Sequence, residues 1–479
     1  MLTHIIKNEW RNMLADKTVW VAAALFAASA AYAAINGLAW TNFQRATIDE
    51  ARTEEAGRYE ALKRQIAEYE RNAPEKLSRF SDPRDAAAAG RNVGQRYAVM
   101  PPAPLAALSI GQSDLLPYYF KVSTRSEQTF VAADELENPT NLLAGRFDMA
   151  FAVIYLLPLL ILAVSYNFLS DERETGTLPM ILAQPVDLRS VVLSKIALRF
   201  LVVAGLVLGL SLIAFLTSGV NSLDREDVFV RAVLWTAAVF AYILFWFSAA
   251  IAVNAFNWKS ATNAVALAAF WLLFVILIPS LAGVLATAVY PTPSRVEMIG
   301  ATRKASSAAA ARGSEILAKY TEDHPELAQG EYDPTDAAMR TYAVQEAVDR
   351  EIQPVLLRYD AQLEKQQNLV NSLRFISPAI VMQETLNDIS GTGRARYQHF
   401  LAQVKNFHAA WQNYFIPRAF QKTKLTADVY ENSPQFVWQE ETTSDVASRA
   451  VFGLLGVFAF ALAVAALGLA RIRHYSVIG

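Results

Sequence analysis

"FAVIYLLPLLILAVSYNFL" (residues 151–169), "SDERETGTLPMILAQPVDLRSVVLSK" (170–195) and "IALRFLVVAGLVLGLSLIAFLTS" (196–218) follow one another without a break. The two flanking runs are apolar and each is long enough to cross a bilayer, which takes about 20 such residues. The bridge between them opens on ionisable groups in a row and cannot lie in hydrocarbon. The same segregation runs through the chain. Of its 479 residues 53% are hydrophobic and 18% charged, yet the charges sit in blocks between apolar stretches. A water-soluble chain of this length would mix them throughout. Six stretches qualify as spans: 18–40, 148–169, 196–218, 231–253, 261–290 and 449–470. The expected fold is therefore an all-α polytopic membrane protein with six transmembrane helices. To these is added a helical extracytoplasmic domain built from two long insertions. The first stretch contains "AASAAYAAINGLA", whose small residues suit signal cleavage. Its length, and Trp20 and Trp40 placed to sit at opposite interfaces, favour an uncleaved span.

Basic residues in the short connections set the orientation. Lys7, Arg11 and Lys17 precede the first span, Arg173, Arg189 and Lys195 lie between the second and third, Lys259 is in "NAFNWKS", and Arg471 and Arg473 end the chain. The acidic "GVNSLDREDV" belongs to the other side. The positive-inside bias places both termini in the cytoplasm, with an interfacial helix at 1–17, a loop at 254–260 and a tail at 471–479. It places 41–147, 219–230 and 291–448 outside. The two long outer segments are mostly helical in pattern. "DEARTEEAGRYEALKRQIAEYERN" is one such helix, residues 336–375 a second with Pro354 as a bend, and "RARYQHFLAQVKNFHAAWQNYF" a third. The aromatic face of the third either packs within the domain or receives a substrate or partner.

The span interiors contain no Asp, Glu, Lys, Arg or His; Asp148, Arg199, Arg231 and Arg449 lie near ends, where side chains can snorkel. That pattern argues against a proton-coupled carrier and an intramembrane enzyme, both of which need mid-membrane charge. Pro158 and Pro279 are expected to kink the second and fifth spans. No G-x-x-x-x-G-K-[ST] loop occurs, so ATP-driven work would fall to another polypeptide. Nor is a metal centre expected. Cysteine is absent, and of His4, His324, His399, His408 and His474 the pair nine residues apart point to opposite faces of a helix. With net charge −2, no nucleic-acid partner is implied. No catalytic residue stands out.

An ATP-consuming partner needs a docking surface, and the bridge is the candidate. Asp171 and Glu174 have capping-box spacing, although the helix before them can equally run on. Gly176 permits a sharp turn, Thr177 can cap, and Pro179 is tolerated in a first turn. "LPMILAQ" then makes a short helix that ends at Pro185, with Asp187 capping the next. It would present Leu178, Met180, Ile181 and Leu182 as a docking ridge, or merely rest them on lipid.

"ERETGTLPMILAQPVDLRSVVLSK" resembles the E-R-E-x-G-T-L…P-(V/I)…K signature of type-2 ATP-binding-cassette (ABC) exporter permeases, in which this segment is the coupling helix. The resemblance implies that Glu172, Arg173, Glu174, Gly176, Thr177, Leu178, Pro185 and Lys195 form the ATPase-coupling region. "LTHIIKNEWRNML" is similar to that family's interfacial helix, with Leu2, Ile5, Ile6, Trp10, Met13 and Leu14 on one face against Lys7, Glu9 and Arg11. "NPTNLLAGRFDMAFAVIYLLPLLILAVSYNFLSDERETGTL" and "ISPAIVMQETLNDISGTGRARYQHFLAQVKNFHAAWQNYF" resemble a subgroup with large outer insertions. In that subgroup a domain of unknown function follows span five, and multi-copper-enzyme maturation is often in the name. The family implies a multi-pass permease of the bacterial cytoplasmic (inner) membrane. It would be paired with a second copy or a paralogous permease and with cytoplasmic ABC ATPase subunits that hold the ATP and magnesium. It would drive export. The alternative is a non-transporting complex that passes force to a periplasmic partner, for example in metalloenzyme maturation.

Overall fold

The computed structural model describes residues 2–72, 77–127, 146–218, 226–291, 295–327, 333, 335–473 and 475. Among them six helices are long and apolar enough to cross a membrane: Lys17–Arg71, Met149–Glu174, Leu188–Thr217, Glu226–Asn254, Ser260–Val289 and Thr443–Ile472. The chain is an all-α polytopic membrane protein. The acidic turn expected at 219–230 lies mostly outside the described residues.

The fourth span is the centre of the bundle. Tyr242, Phe245, Trp246 and Phe247 are buried in a core shared with Val153, Leu157 and Ile161 of the second span and Val457 and Ala461 of the sixth. Side chains such as Leu25, Val265 and Leu467 stay exposed, as a lipid-facing surface requires. Small residues let helices close up. A Cβ on Gly468 would stand 2.9 Å from the backbone nitrogen of Ala252, so the fourth and sixth spans touch there almost backbone to backbone. A Cβ on Gly37 would come within 1.9 Å of the Ala107 carbonyl oxygen, whereas one on Gly205 would meet nothing within 4 Å. Gly37→Ala is accordingly expected to cost about 1–3 kcal/mol by overpacking, with Gly205→Ala close to neutral. Thermal melting of the detergent-solubilised variants checks the contrast.

Both intramembrane prolines open their helices. Pro158 has no N–H for the Ile154 carbonyl; the helix widens to i→i+5 bonding over Ala152–Leu156, and the Tyr242 hydroxyl donates to Ile154 O at 3.0 Å. The fifth span widens over Leu272–Leu277 ahead of Pro279; Ser377 donates to Phe274 O from outside the span. Trp271 Nε1 ties the two loosened regions together by donating to Tyr155 O at 3.1 Å.

The two insertions pack as one helical body on the end of the bundle. The first span does not stop where its apolar run does. Asp16 caps it by accepting from Thr18 N at 2.8 Å, and it continues unbroken for 55 residues, about 80 Å of helix, into the insertion core. There Tyr59 and Ile66 meet Met339 and Tyr342 of Ala337–Leu373 and Phe400, Trp411 and Phe415 of Arg394–Phe420. The aromatic face of the last helix is thus core, and Trp411 Nε1 donates to Gly90 O at 2.9 Å. Helix Ala337–Leu373 continues through Pro354.

The insertions are mostly helical, with one strand pair: β1 (Arg96–Val99) runs antiparallel with β2 (Tyr119–Val122), Arg96 opposite Val122. Expectations at the span ends need correcting. Trp40 does not face lipid. It is buried, donates from Nε1 to Ser113 Oγ at 3.0 Å and carries the Arg146 guanidinium 4.2 Å over its ring. Arg231 does not snorkel: it is 2% exposed and donates to the Ile389 carbonyl at 2.8 Å, the acceptor-rich C-terminus of helix Pro378–Ser390. That helix wedges between the fourth and sixth spans. Arg449, whose side chain is 31% exposed, pairs with Glu441 at 3.0 Å.

Candidate functional site

The bridge between the second and third spans is built from a loosened helix end, a sharp turn and a short cross-helix. The regular ladder of the second span gives way to turns at Tyr166–Leu169 before Ser170–Glu174 resumes as helix, so Asp171 and Glu174 lie inside a helix and form no capping box. The carbonyls released there are taken by other spans. Lys195 Nζ donates to Phe168 O at 3.2 Å, Asn254 Nδ2 to Ser165 O at 3.2 Å, and Arg199 Nη1 to Val164 O.

Gly176 then turns the chain at φ +73°, a region an L side chain enters only at a cost. Thr177 stands at the N-cap of Leu178–Leu182 without capping it; its hydroxyl donates back to Glu172 O at 3.1 Å and closes the turn. The ridge differs from expectation at Leu178, which is fully buried in the membrane core and anchors the cross-helix. Met180 is 67% exposed, and Ile181 and Leu182 are half-buried. Pro185 is exposed, ahead of Asp187 at the N-cap of the third span. The Ser190 hydroxyl holds the Asp187 carboxyl below its usual range. Leu178→Ala is expected to destabilise the fold by about 2–4 kcal/mol through the cavity it leaves, and Met180→Ala by less than about 0.5 kcal/mol. Denaturation in detergent separates the two.

Charged residues of the bridge grip three other elements. Arg173 donates to the backbone of the connection between the fourth and fifth spans, to Asn257 O at 2.6 Å and Trp258 O at 2.9 Å. Asn257 has φ 61°, so that connection is itself sharply turned. Glu174 Oε1 accepts from Ser260 N at 2.6 Å, at the first residue of the fifth span. Ser170 and Ser260 hydroxyls share a hydrogen bond at 2.9 Å, and Asn263 Nδ2 reaches both Ser170 Oγ at 3.3 Å and Asn254 Oδ1 at 3.2 Å. The Arg173 guanidinium also lies 5.9 Å over Tyr475, whose phenol burial pushes above its ordinary value against the pull of Arg173.

Glu172 pairs with Lys195, and that pair continues into a residue placed wrongly by the pattern of the N-terminal helix. Glu9 is 2% exposed, not on a solvated face. Its Oε1 accepts from Arg199 Nε at 2.7 Å, and its Oε2 lies 3.5 Å from Lys195 Nζ. Helix Leu2–Ala15 turns Ile5, Glu9 and Met13 inward at i, i+4 and i+8, while Ile6, Trp10 and Leu14 stay exposed. The structure therefore gathers Glu172, Arg173, Glu174 and Lys195 around the bridge and leaves Pro185 apart. It adds Glu9, Arg199, Asn254 and Asn263.

Residues 127–280, which include this whole assembly apart from Glu9 and Tyr475, match the model of the ABC-2 family transporter proteins. This stretch of the chain is similar to the ABC-2 family domain. Its match supports a permease component of an ABC transporter, a membrane subunit rather than an enzyme. Residues 295–439 match a second model, a domain of unknown function (DUF3526), which spans most of the later insertion beyond the ABC-2 domain. Among curated proteins and among solved structures, none matches the chain. Among the described residues of the chain, no three His, Asp or Glu gather as a metal site. His399 Nε2 bonds Gln439 O and His408 Nε2 bonds Arg125 O, each separately. His474 and the side chain of His4 lie outside the description.

Proposed function

We propose that this protein is the membrane subunit of an ATP-driven exporter of the bacterial cytoplasmic membrane. Both termini are cytoplasmic, the insertions lie outside, and it works as a dimer, with a second copy or a paralogous permease. A separate ABC ATPase supplies nucleotide hydrolysis and docks on the exposed side of the cross-helix at Met180, Pro179 and Ala183. The observation that carries this reading is the grip of the bridge on its neighbours. A push on the cross-helix reaches the second span directly, the third through Glu172 and Lys195, and the fifth through Arg173 and Glu174. Such a lever moves several spans as a group, which is what opening a path between two permease copies requires.

The experiment is purification from membranes with an affinity tag. A cytoplasmic ATPase is expected to accompany the chain, and Met180→Glu, which places a charge on the exposed ridge without touching the core, is expected to release it. Retention of the ATPase by Met180→Glu would move the docking surface elsewhere. A second reading, transmission of force to an outer partner, draws on the unbroken helix that joins the first span to the insertion core. Under it, cross-links from the insertions to a soluble protein appear while vesicles show no ATP-dependent substrate movement.

A further inference from the structure

A cavity of about 870 Å³ opens in the insertion domain, between helices Arg295–Ala311 and Ala337–Leu373, far along the chain from the bridge. That size falls in the range of small-molecule sites. Its lining is unusual for a chain of net charge −2: Arg91, Arg125, Arg303 and Arg340 face it, with Asp349 as the one carboxylate among the lining residues. Among the described residues none of the four guanidiniums forms an ion pair. Arg91 donates to the neutral Gln345 Oε1 at 2.9 Å, Arg125 to Asn92 Oδ1 at 3.0 Å, and Asp349 is engaged by the Ser126 hydroxyl at 2.6 Å. Burial, with the Arg125 charge adding to it, pushes the half-buried Arg91 below its ordinary range. Elsewhere in this domain arginines find carboxylates, as Arg79 does with Asp85 and Arg96 with Glu55. An aliphatic patch of Met298, Ile299, Val344 and Val348 also lines it, interspersed with neutral polar side chains such as Thr302 and Ser306.

We infer that this cavity binds an amphiphile with a phosphate or carboxylate head, the head on the arginines and its apolar body on the aliphatic wall. Planar guanidiniums match both head groups by paired N–H donation. A hydrocarbon portion accounts for a wall that a bare anion would leave wet. The inference stands apart from the ATPase reading, since it concerns equilibrium binding to the outer domain.

The test uses the full-length protein in nanodiscs of zwitterionic lipid, with radiolabelled octyl phosphate as probe and empty nanodiscs as blank. Saturable binding is expected, weakened tenfold or more by Arg303→Glu/Arg340→Glu, both exposed positions whose reversal leaves the core intact. Lys319→Glu/Lys365→Glu, an equal charge change on residues outside the lining, is expected to keep the affinity within twofold. Inorganic phosphate and octyl glucoside should each compete at least tenfold more weakly than unlabelled octyl phosphate. Displacement at lower concentration by dioctanoyl phosphatidate assigns a membrane lipid as the source, and weaker displacement assigns a soluble amphiphile. Absence of saturable binding, equal weakening by the control pair, or equal competition by octyl glucoside would each overturn the inference.

Discussion

Glu9→Ala is expected to be among the most destabilising single changes in the membrane half of the molecule, costing about 3–5 kcal/mol. Glu9 is almost fully buried and is the carboxylate that faces Arg199, while Lys195 has Glu172 as a second partner. Removing it leaves a guanidinium in an apolar setting with, among the described residues, the Val164 carbonyl as its remaining hydrogen-bond partner. Much of the cost therefore comes from the stranded charge, and deleting the charge with its partner should restore most of the loss. Glu9→Leu/Arg199→Leu is expected to melt within a few degrees of the wild type, well above Glu9→Ala. Thermal unfolding in detergent reads all three. A wild-type melting temperature for Glu9→Ala would mean that the N-terminal helix is not locked to the third span.

Gly176→Pro is the second large effect, and it bears on coupling more than stability. Proline fixes φ near −65°, whereas residue 176 stands at +73°, so the cross-helix cannot leave the second span in its present direction. Space is not the obstacle, because a Cβ at 176 meets nothing within 4 Å. Gly176→Ala thus isolates the backbone cost, about 1–2 kcal/mol, and should keep partial function. With the ATPase reconstituted, Gly176→Pro is expected to abolish permease-dependent stimulation of ATP hydrolysis, a loss of tenfold or more, while inserting normally. Glu174→Ala should lower stimulation severalfold, since it frees the start of the fifth span from the bridge. Equal stimulation by wild type and Gly176→Pro would remove the bridge from the coupling path.

Much of the architecture was legible because hydrocarbon imposes one rule on a long stretch at a time. About twenty apolar residues in a row cannot be hidden, and the ionisable bridge at 170–174 stands out against them. What escaped depended on single contacts across long separations. The N-terminal helix has adjacent stripes, Ile5–Glu9–Met13 and Ile6–Trp10–Leu14, and the one that carries a charge faces protein because Lys195 and Arg199, nearly two hundred positions away, receive Glu9. Arg231 reads as a snorkelling end until the helix terminus at Ile389 is seen to receive it. Leu178 and Met180 are both apolar in a five-residue helix, too short for periodicity to tell the anchor from the ridge. The strands at Arg96–Val99 and Tyr119–Val122 are four residues each and give no alternating pattern long enough to compete with the helical signal around them.

The chain contains no cysteine, so a single engineered thiol reports without interference. The most direct measurement is site-specific cross-linking from Met180→Cys in intact cells and in inverted membrane vesicles. The account predicts that a membrane-impermeant maleimide reaches the introduced thiol only in the inverted vesicles, and that a short cross-linker joins it there to a nucleotide-hydrolysing subunit. Labelling from the outside of intact cells, or ATP hydrolysis by the purified chain alone, would contradict it.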